Sequence, residues 1–158
     1  MKRGRHVRTA LGLLAWLPFF LSGPAQAQTV IQDETFTFGK IAISSNAQQQ
    51  VLTMAMDGRV TRSPGIIPID PGHPAQFSIT GFPPSSSLTL SIPPIQLSQS
   101  GQGGGNTMTV TFVHLPVIAT DPTGSARIRI GGALRTSGTG IPYGDSVYFG
   151  MATMMISY

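Results

Sequence analysis

The sequence predicts an all-β fold, an antiparallel sandwich of about seven or eight strands. After residue 27, no segment sustains the apolar spacing of three and four residues that marks an amphipathic helix. Apolar residues instead recur at every second position, between clusters of Gly, Pro, Asn and Ser. This pattern is typical of short strands joined by turns, at the spacing of a sandwich.

The first 27 residues have the three parts of a secretory signal peptide. A basic start, Met1–Arg8, precedes the apolar stretch Thr9–Leu21 and the small-residue site Ala25-Gln26-Ala27. Because the apolar stretch is short for a bilayer span, cleavage is favoured over a permanent anchor. We therefore expect a signal peptide over residues 1–27 and one domain over residues 28–158. The domain is expected to be exported to the periplasm, the outer surface or the medium, with no membrane-spanning segment left.

Charge and cysteine content exclude several classes of function. The whole chain carries a net charge of +4, but four of its basic residues lie in the signal peptide, which leaves six basic and six acidic residues. Such a neutral domain lacks the cation cluster that binding to nucleic acid requires. The chain has no cysteine, which excludes disulfides, thiol catalysis and thiolate metal sites.

The first predicted strand contains a change of phase. Phe36 and Phe38 alternate on one phase, and Ile41 and Ile43 continue one residue out of step. We expect Gly39 to lie at a β-bulge that returns the apolar side chains to the inward face.

A hairpin is predicted next. Leu52, Met54 and Met56 form an apolar face, and Asp57-Gly58 is a typical two-residue hairpin turn of the primed type. Arg59–Arg62 should then return antiparallel.

The middle of the chain alternates between strands and breakers. Pro64–Pro74 is expected to cross irregularly or to form a short edge strand around Ile67 and Ile69. The glycine-rich stretch Ser98–Asn106 is predicted to be a mobile loop. Gly131-Gly132 indicates a bulge or a close backbone approach. Apolar alternation predicts four more strands, marked by Phe77 and Ile79, by Leu88, Leu90 and Ile92, by Met108, Val110 and Phe112, and by Ala126, Ile128 and Ile130.

The closing run, Gly144–Tyr158, is expected to be one strand that continues to the last residue. An edge strand offers unpaired N–H and C=O groups with which another chain can pair. The closing run therefore favours assembly over catalysis.

No group of residues predicts an enzyme, a cofactor or a metal site. Gly144-Asp145-Ser146 resembles the nucleophile block of some secreted lipases, but its position before a strand favours a turn. His73 and His114 lie on separate segments without ligand spacing. Calcium at Asp70 or Asp121 stays open, although no loop repeats the acidic spacing of a calcium site.

Three tyrosines remain after the loss of Trp16 with the signal peptide: Tyr143, Tyr148 and Tyr158. They are candidates for an aromatic platform that binds a glycan, and core packing or an interface explains them equally well.

Several short segments, in this order, resemble DUF4402, a family of bacterial exported domains of unknown function. They are Phe38–Ile41, Asp57-Gly58, Ala75–Gly81, Leu88–Pro93, Thr107–Val110, Ile130–Leu134 and the closing run. The family is similar to the immunoglobulin-like subunits of surface pili that a chaperone and an usher assemble. The resemblance implies an immunoglobulin-like sandwich, and a periplasmic chaperone that grips the closing strand between Gly144 and Tyr158.

The expected function is that of an exported structural or adhesive surface protein, a pilin-like subunit that self-assembles through strand pairing. Its candidate contact residues are Phe36, Phe38, Gly144, Tyr148 and Tyr158. The alternative is a self-contained secreted module that binds a glycan or a small ligand.

Overall fold

The computed structural model describes residues 27–100 and 106–158. This part of the chain contains thirteen strands and no helix, which confirms the all-β prediction. No helix there is long and apolar enough to cross a membrane. Residues 1–26, which make up nearly all of the predicted signal peptide, lie outside the described residues. The strands are β1 (Thr29–Glu34), β2 (Thr37–Ile43), β3 (Val51–Met54), β4 (Val60–Arg62), β5 (Ile66–His73), β6 (Ala75–Thr80), β7 (Ser87–Ser91), β8 (Ile95–Gln99), β9 (Met108–Val113), β10 (Val117–Ala119), β11 (Ala126–Arg135), β12 (Tyr148–Phe149) and β13 (Met155–Ser157).

The largest sheet has the order β1-β6-β11-β9-β8-β12, with β3 added to β11 and β4 added to β3. All of its pairings are antiparallel. The long strand β11 is its spine, since the first half pairs with β6 and the second half lies between β9 and β3. At the midpoint, a methyl group added to Gly131 would lie 2.3 Å from the carbonyl oxygen of Met54. The predicted close backbone approach is therefore confirmed.

Two smaller sheets, β10-β7-β13 and β2-β5, cover the inner face of this sheet and enclose two apolar clusters. One cluster lies between β6, the first half of β11 and the β10-β7-β13 sheet. The other lies between β3, β9, the second half of β11 and the β2-β5 pair. The buried side chains of the first are Ala75, Ile79, Phe82, Leu88, Leu90, Ile128 and Ile130. Those of the second are Leu52, Ile66, Met108, Val110 and Leu134.

Phe36 joins the two clusters, because its ring packs against both. The ring meets Phe38 edge-on with centroids 4.7 Å apart, and it meets Phe112 at 5.9 Å. Gly132 lies directly beneath it, where an added methyl group would come within 2.8 Å of the ring. The two clusters thus form one continuous core.

The predicted phase change in β2 is confirmed. Phe38 and Ile41 both pack against the second cluster, although they are three positions apart. Gly39 between them has φ +75°, a left-handed conformation that favours glycine. The predicted position of the bulge is wrong, because the register shifts between Lys40, opposite Asp70, and Ile41, opposite Pro68, and the extra residue is Ile69 on β5.

The predicted two-residue hairpin turn is wrong. Met54 is opposite Val60, and Gly58 N donates to the carbonyl of Ala55 at 3.0 Å, so Met56 lies in the turn. Only Gly58 has a positive φ, because the loop has three residues and ends on a left-handed glycine. Asp57 is held in the turn by Arg59, whose backbone N–H donates to its carboxylate at 3.1 Å.

The proline-rich segment forms a longer strand than expected. β5 runs for eight residues beside β2 alone, so Pro68 and Pro71 lie on an edge strand, where a missing N–H is tolerated. The pattern did not predict β1, β8 or β10. Ser98 and Gln99 belong to β8 and not to the predicted loop, of which residues 101–105 lie outside the described part.

The closing run is not one strand. Its first part, β12, pairs with β8 in the large sheet, and its last part, β13, pairs with β7 in the three-stranded sheet. The segment with which the closing run pairs, from β7 to β8, passes between the same two sheets through Ile92-Pro93-Pro94. Because proline has no N–H, the ladder cannot continue past this corner.

Removal of the Phe36 ring should destabilise the whole protein. We expect Phe36→Ala to lower the free energy of unfolding by about 2–4 kcal/mol, since the ring fills the junction of both clusters. The matched control is Leu115→Ala, because Leu115 is 56% exposed and its loss should cost less than about 1 kcal/mol. Urea unfolding measures both, and equal costs would contradict a joined core.

Candidate functional site

Residues 147–157 form an open edge of the molecule, which we call the C-terminal edge. β12 is the last strand of the large sheet, and β13 is the last strand of the three-stranded sheet. Each pairs on one flank only, with β8 and β7 respectively. Within the described residues, no strand covers the other flank.

The hydrogen bonds between β12 and β8 show which backbone N–H and C=O groups of β12 point to its open flank. Ser100 N donates to the carbonyl of Val147 at 2.9 Å, and Phe149 is opposite Ser98. Successive residues of an antiparallel strand direct their N–H and C=O groups to alternate flanks. The peptide groups of Tyr148 therefore point away from β8, towards the open flank. The same alternation, continued one residue past the end of β12, assigns those of Gly150 to this flank.

Side chains of the C-terminal edge divide into an inner and an outer set. Tyr148, Met154 and Ile156 pack against the core. The outer set, at odd positions, is apolar and exposed: Val147 is 69% exposed, Phe149 58%, Met151 93% and Met155 55%. No charged residue follows Asp145 in the sequence.

The other edge strands carry devices that discourage pairing with another chain. β1 ends on Asp33-Glu34, and β4 is a three-residue strand that ends on Arg62. The β2-β5 pair contains Lys40 on one strand and two prolines on the other. β10 has three residues and follows Pro116. The strands of the C-terminal edge are also short, with two residues in β12 and three in β13. Among the edges in the described part, this edge alone has no charged residue and no proline within its strands or directly before them.

The predicted contact residues are separated by the fold. Phe36 and Phe38 are half-buried in the core. Tyr148 lies at the start of the C-terminal edge, Gly144 lies three residues before this edge, and Tyr158 follows its end. Sequence reasoning missed the outer row of Val147, Phe149 and Met151, although apolar residues at every second position of an uncharged run mark it.

The three tyrosines do not form one platform. Tyr143 and Tyr148 pack edge-on with centroids 5.8 Å apart, and the Tyr143 hydroxyl donates to the carbonyl of Thr107 at 3.1 Å. Tyr158 belongs to another place, where its ring meets Phe82 and its hydroxyl accepts from Gln28 Nε2 at 2.9 Å. The proposed aromatic sugar platform is therefore not assembled.

The nucleophile-like block forms an exposed bend before β12. In the described residues, Ser146 has no hydrogen bond to either histidine. His73 ends β5, and His114 follows β9 with its Nδ1 3.0 Å from the carbonyl of Leu115. These three side chains therefore share no site in this structure.

Asp121 closes a turn. Its Oδ1 accepts hydrogen bonds from the Thr123 hydroxyl, the Thr123 N–H and the Ser125 N–H at 2.6, 2.8 and 2.9 Å. The Thr123 hydroxyl, followed by the Ser125 N–H, lowers the pKa of Asp121 below its usual value of 3.8. Asp70 lies on β5 opposite Lys40. Within residues 27–100 and 106–158, no three His, Asp or Glu side chains cluster as metal ligands would.

A shallow polar depression lies on the outer face of β1, β6 and β11, with a volume of about 270 Å³. Ser78 Oγ donates to Asp33 Oδ2 at 2.7 Å, and Gln76 Nε2 donates to Glu34 Oε2. Arg127 is opposite Ser78 on the next strand. Carboxylate acceptors thus stand on one side and a guanidinium donor on the other, an arrangement that can hydrogen-bond to a polyhydroxylated ligand.

Comparison with known proteins gives one result. No curated protein and no solved structure matches the chain. The domain of unknown function DUF4402 matches residues 29–158, which confirms the resemblance seen in the sequence. The chain therefore belongs to the DUF4402 family.

Proposed function

We propose that this protein is an exported structural or adhesive protein of the cell surface whose subunits associate by strand pairing at the C-terminal edge. The observation that carries the proposal is the outer row of Val147, Phe149 and Met151 on an edge without charge or proline. Apolar edges without charge or proline are ones at which sheets of separate chains can join. The signal peptide expected over residues 1–27 supports export, and a pilin-like role follows from both features.

Two contributions favour pairing at this edge. The peptide groups of Tyr148 and Gly150 gain partners, at about 0.5–1.5 kcal/mol for each hydrogen bond. Burial of the three outer side chains adds about 1–2 kcal/mol each, because a contact between edge strands covers only part of each side chain. The total, about 5–12 kcal/mol, lies within the cost of association, about 4–15 kcal/mol. We therefore expect weak, concentration-dependent association unless a chaperone or the crowded cell surface assists it.

The same edge fits a periplasmic chaperone as a transient partner. A chaperone that donates a strand to β12 would cover the outer row and the open peptide groups until a subunit replaces it. Tyr148, at the start of this edge, and Gly144, three residues before it, would then lie at the contact.

A positive charge on the edge should abolish association. We expect Met151→Lys to shift the protein from associated species to monomer, because it places an ammonium group among the apolar side chains that the contact buries. Sedimentation velocity over a concentration series measures the shift. The matched control, Val60→Lys, places the same charge on the β4 edge, where Val60 is 42% exposed, and should leave association unchanged.

The proposal is contradicted if the unaltered protein stays monomeric at every concentration and never enters a polymer or surface layer. It is also contradicted if Met151→Lys and Val60→Lys weaken association equally.

A second candidate function is glycan binding at the polar depression, favoured by the acceptor and donor groups that face each other across β6. The matched pair of variants is Arg127→Ala in the depression and Arg135→Ala at the far end of the same strand. A glycan array should show binding that is lost in the first variant and kept in the second. Absence of any bound glycan, or equal loss in both variants, would reject this candidate.

A further inference from the structure

We propose that the occupant of the C-terminal edge is a second copy of this chain, which pairs β12 with β12 antiparallel about a two-fold axis through Phe149. This inference rests on the proposed function and names its partner. The resulting contact joins two large sheets into one continuous antiparallel sheet and closes at a dimer, so a pilin-like polymer requires a further contact between dimers.

The open peptide groups fit this arrangement. With Phe149 on the axis, Tyr148 is opposite Gly150 of the partner subunit, and Gly150 is opposite Tyr148 of the partner subunit. These are the two residues whose N–H and C=O groups point to the open flank, as the bond between Ser100 and Val147 fixes. Each pair exchanges two hydrogen bonds, so the contact gains four.

In this register, the outer side chains of one copy face the outer side chains of the other copy. Phe149 meets its own copy, and Val147 meets Met151 of the partner subunit on each side of the axis. All of them are exposed in the single chain. Cross-strand pairs of aromatic and aliphatic side chains are the contacts that stabilise neighbouring strands.

Charge separates this arrangement from a head-to-tail alternative. Strand direction alternates from β1 to β12, so β1 of another copy would also meet β12 antiparallel. If Ile31 then faced Phe149, Asp33 and Glu34 would lie within about two residues of Asp145, roughly 7 Å along the strand. Three carboxylates would then lie closer than the screening length of about 8–10 Å.

The two-fold arrangement avoids this repulsion. Asp145 lies in the bend before β12, four residues before Phe149. Because the two-fold axis passes through Phe149, the two Asp145 residues lie on opposite sides of the axis. The acidic end of β1 lies at the far edge of each large sheet, so the contact brings no group of carboxylates together.

Single cysteines test the register, because the chain has no cysteine of its own. At the axis, Phe149 forms a non-hydrogen-bonded pair with its copy, at a Cα separation of about 4.5 Å that a disulfide can bridge. We expect Phe149→Cys to form a disulfide-linked dimer on air oxidation, roughly tenfold faster than Val147→Cys, whose two copies lie about 14 Å apart. The double variant Val147→Cys/Met151→Cys should link as readily as Phe149→Cys. Because this variant keeps the Phe149 ring, it controls for the loss of the ring in Phe149→Cys. Non-reducing gels and mass spectrometry of the full chain, expressed and processed in cells, give the yields and the linked residues.

Equal rates for the Phe149→Cys and Val147→Cys variants would overturn the inference. So would absence of a link in both Phe149→Cys and the double variant. If the unaltered protein still associates and Met151→Lys still abolishes association, such a result rejects the two-fold register and leaves the proposed function standing. A link in Ile31→Cys/Phe149→Cys, with none in Phe149→Cys, would establish the head-to-tail contact. A protein that never associates rejects both the inference and the proposed function.

Discussion

Two consecutive prolines determine how the closing segment pairs. Pro93 and Pro94 lie between β7 and β8, the two strands that the closing segment follows. Neither has an N–H to offer, so the ladder breaks at the point where the chain passes from one sheet to the other. The closing segment therefore forms the border of both sheets, held by Tyr148 in one half of the core and by Ile156 in the other. Its opposite flank is left without a partner in the described part of the chain.

This constraint connects the fold to its proposed use. The inner side chains keep the segment in place, so the outer row stays exposed and does not collapse onto the core. Charge or proline limits pairing at the other edges, whereas the C-terminal edge presents three apolar side chains and the free peptide groups of Tyr148 and Gly150. Association through it stays weak, because few side chains are buried. A weak contact suits a subunit that must remain separate during export and join others only where its concentration is high.

The sequence predicted those features that depend on local pattern. Alternation gave the all-β class and most of the strands, and the phase change around Gly39 is present, although the extra residue of the bulge, Ile69, lies on the neighbouring strand β5. The sequence pattern gave wrong predictions where the structure depends on pairing between strands that are distant in the chain. The closing run alternates without interruption, but the prolines that divide it lie about 50 residues earlier in the chain. Asp57-Gly58 fits two hairpin types, and the pairing of Met54 with Val60 selects the longer one. The outer row of the candidate site was visible in the sequence, although its exposure depends on which flank of β12 the β8 strand occupies.

The most direct test of the central claim is hydrogen exchange at the two peptide N–H groups assigned to the open flank. Amide exchange of Tyr148 and Gly150 should be compared between the associated protein and the Met151→Lys monomer, with the amide of Val60, which points to the open flank of β4, as a reference. Strand pairing predicts that exchange at both positions slows on association, while the reference amide is unchanged. Equal exchange at Tyr148 and Gly150 in the associated and monomeric species would contradict it.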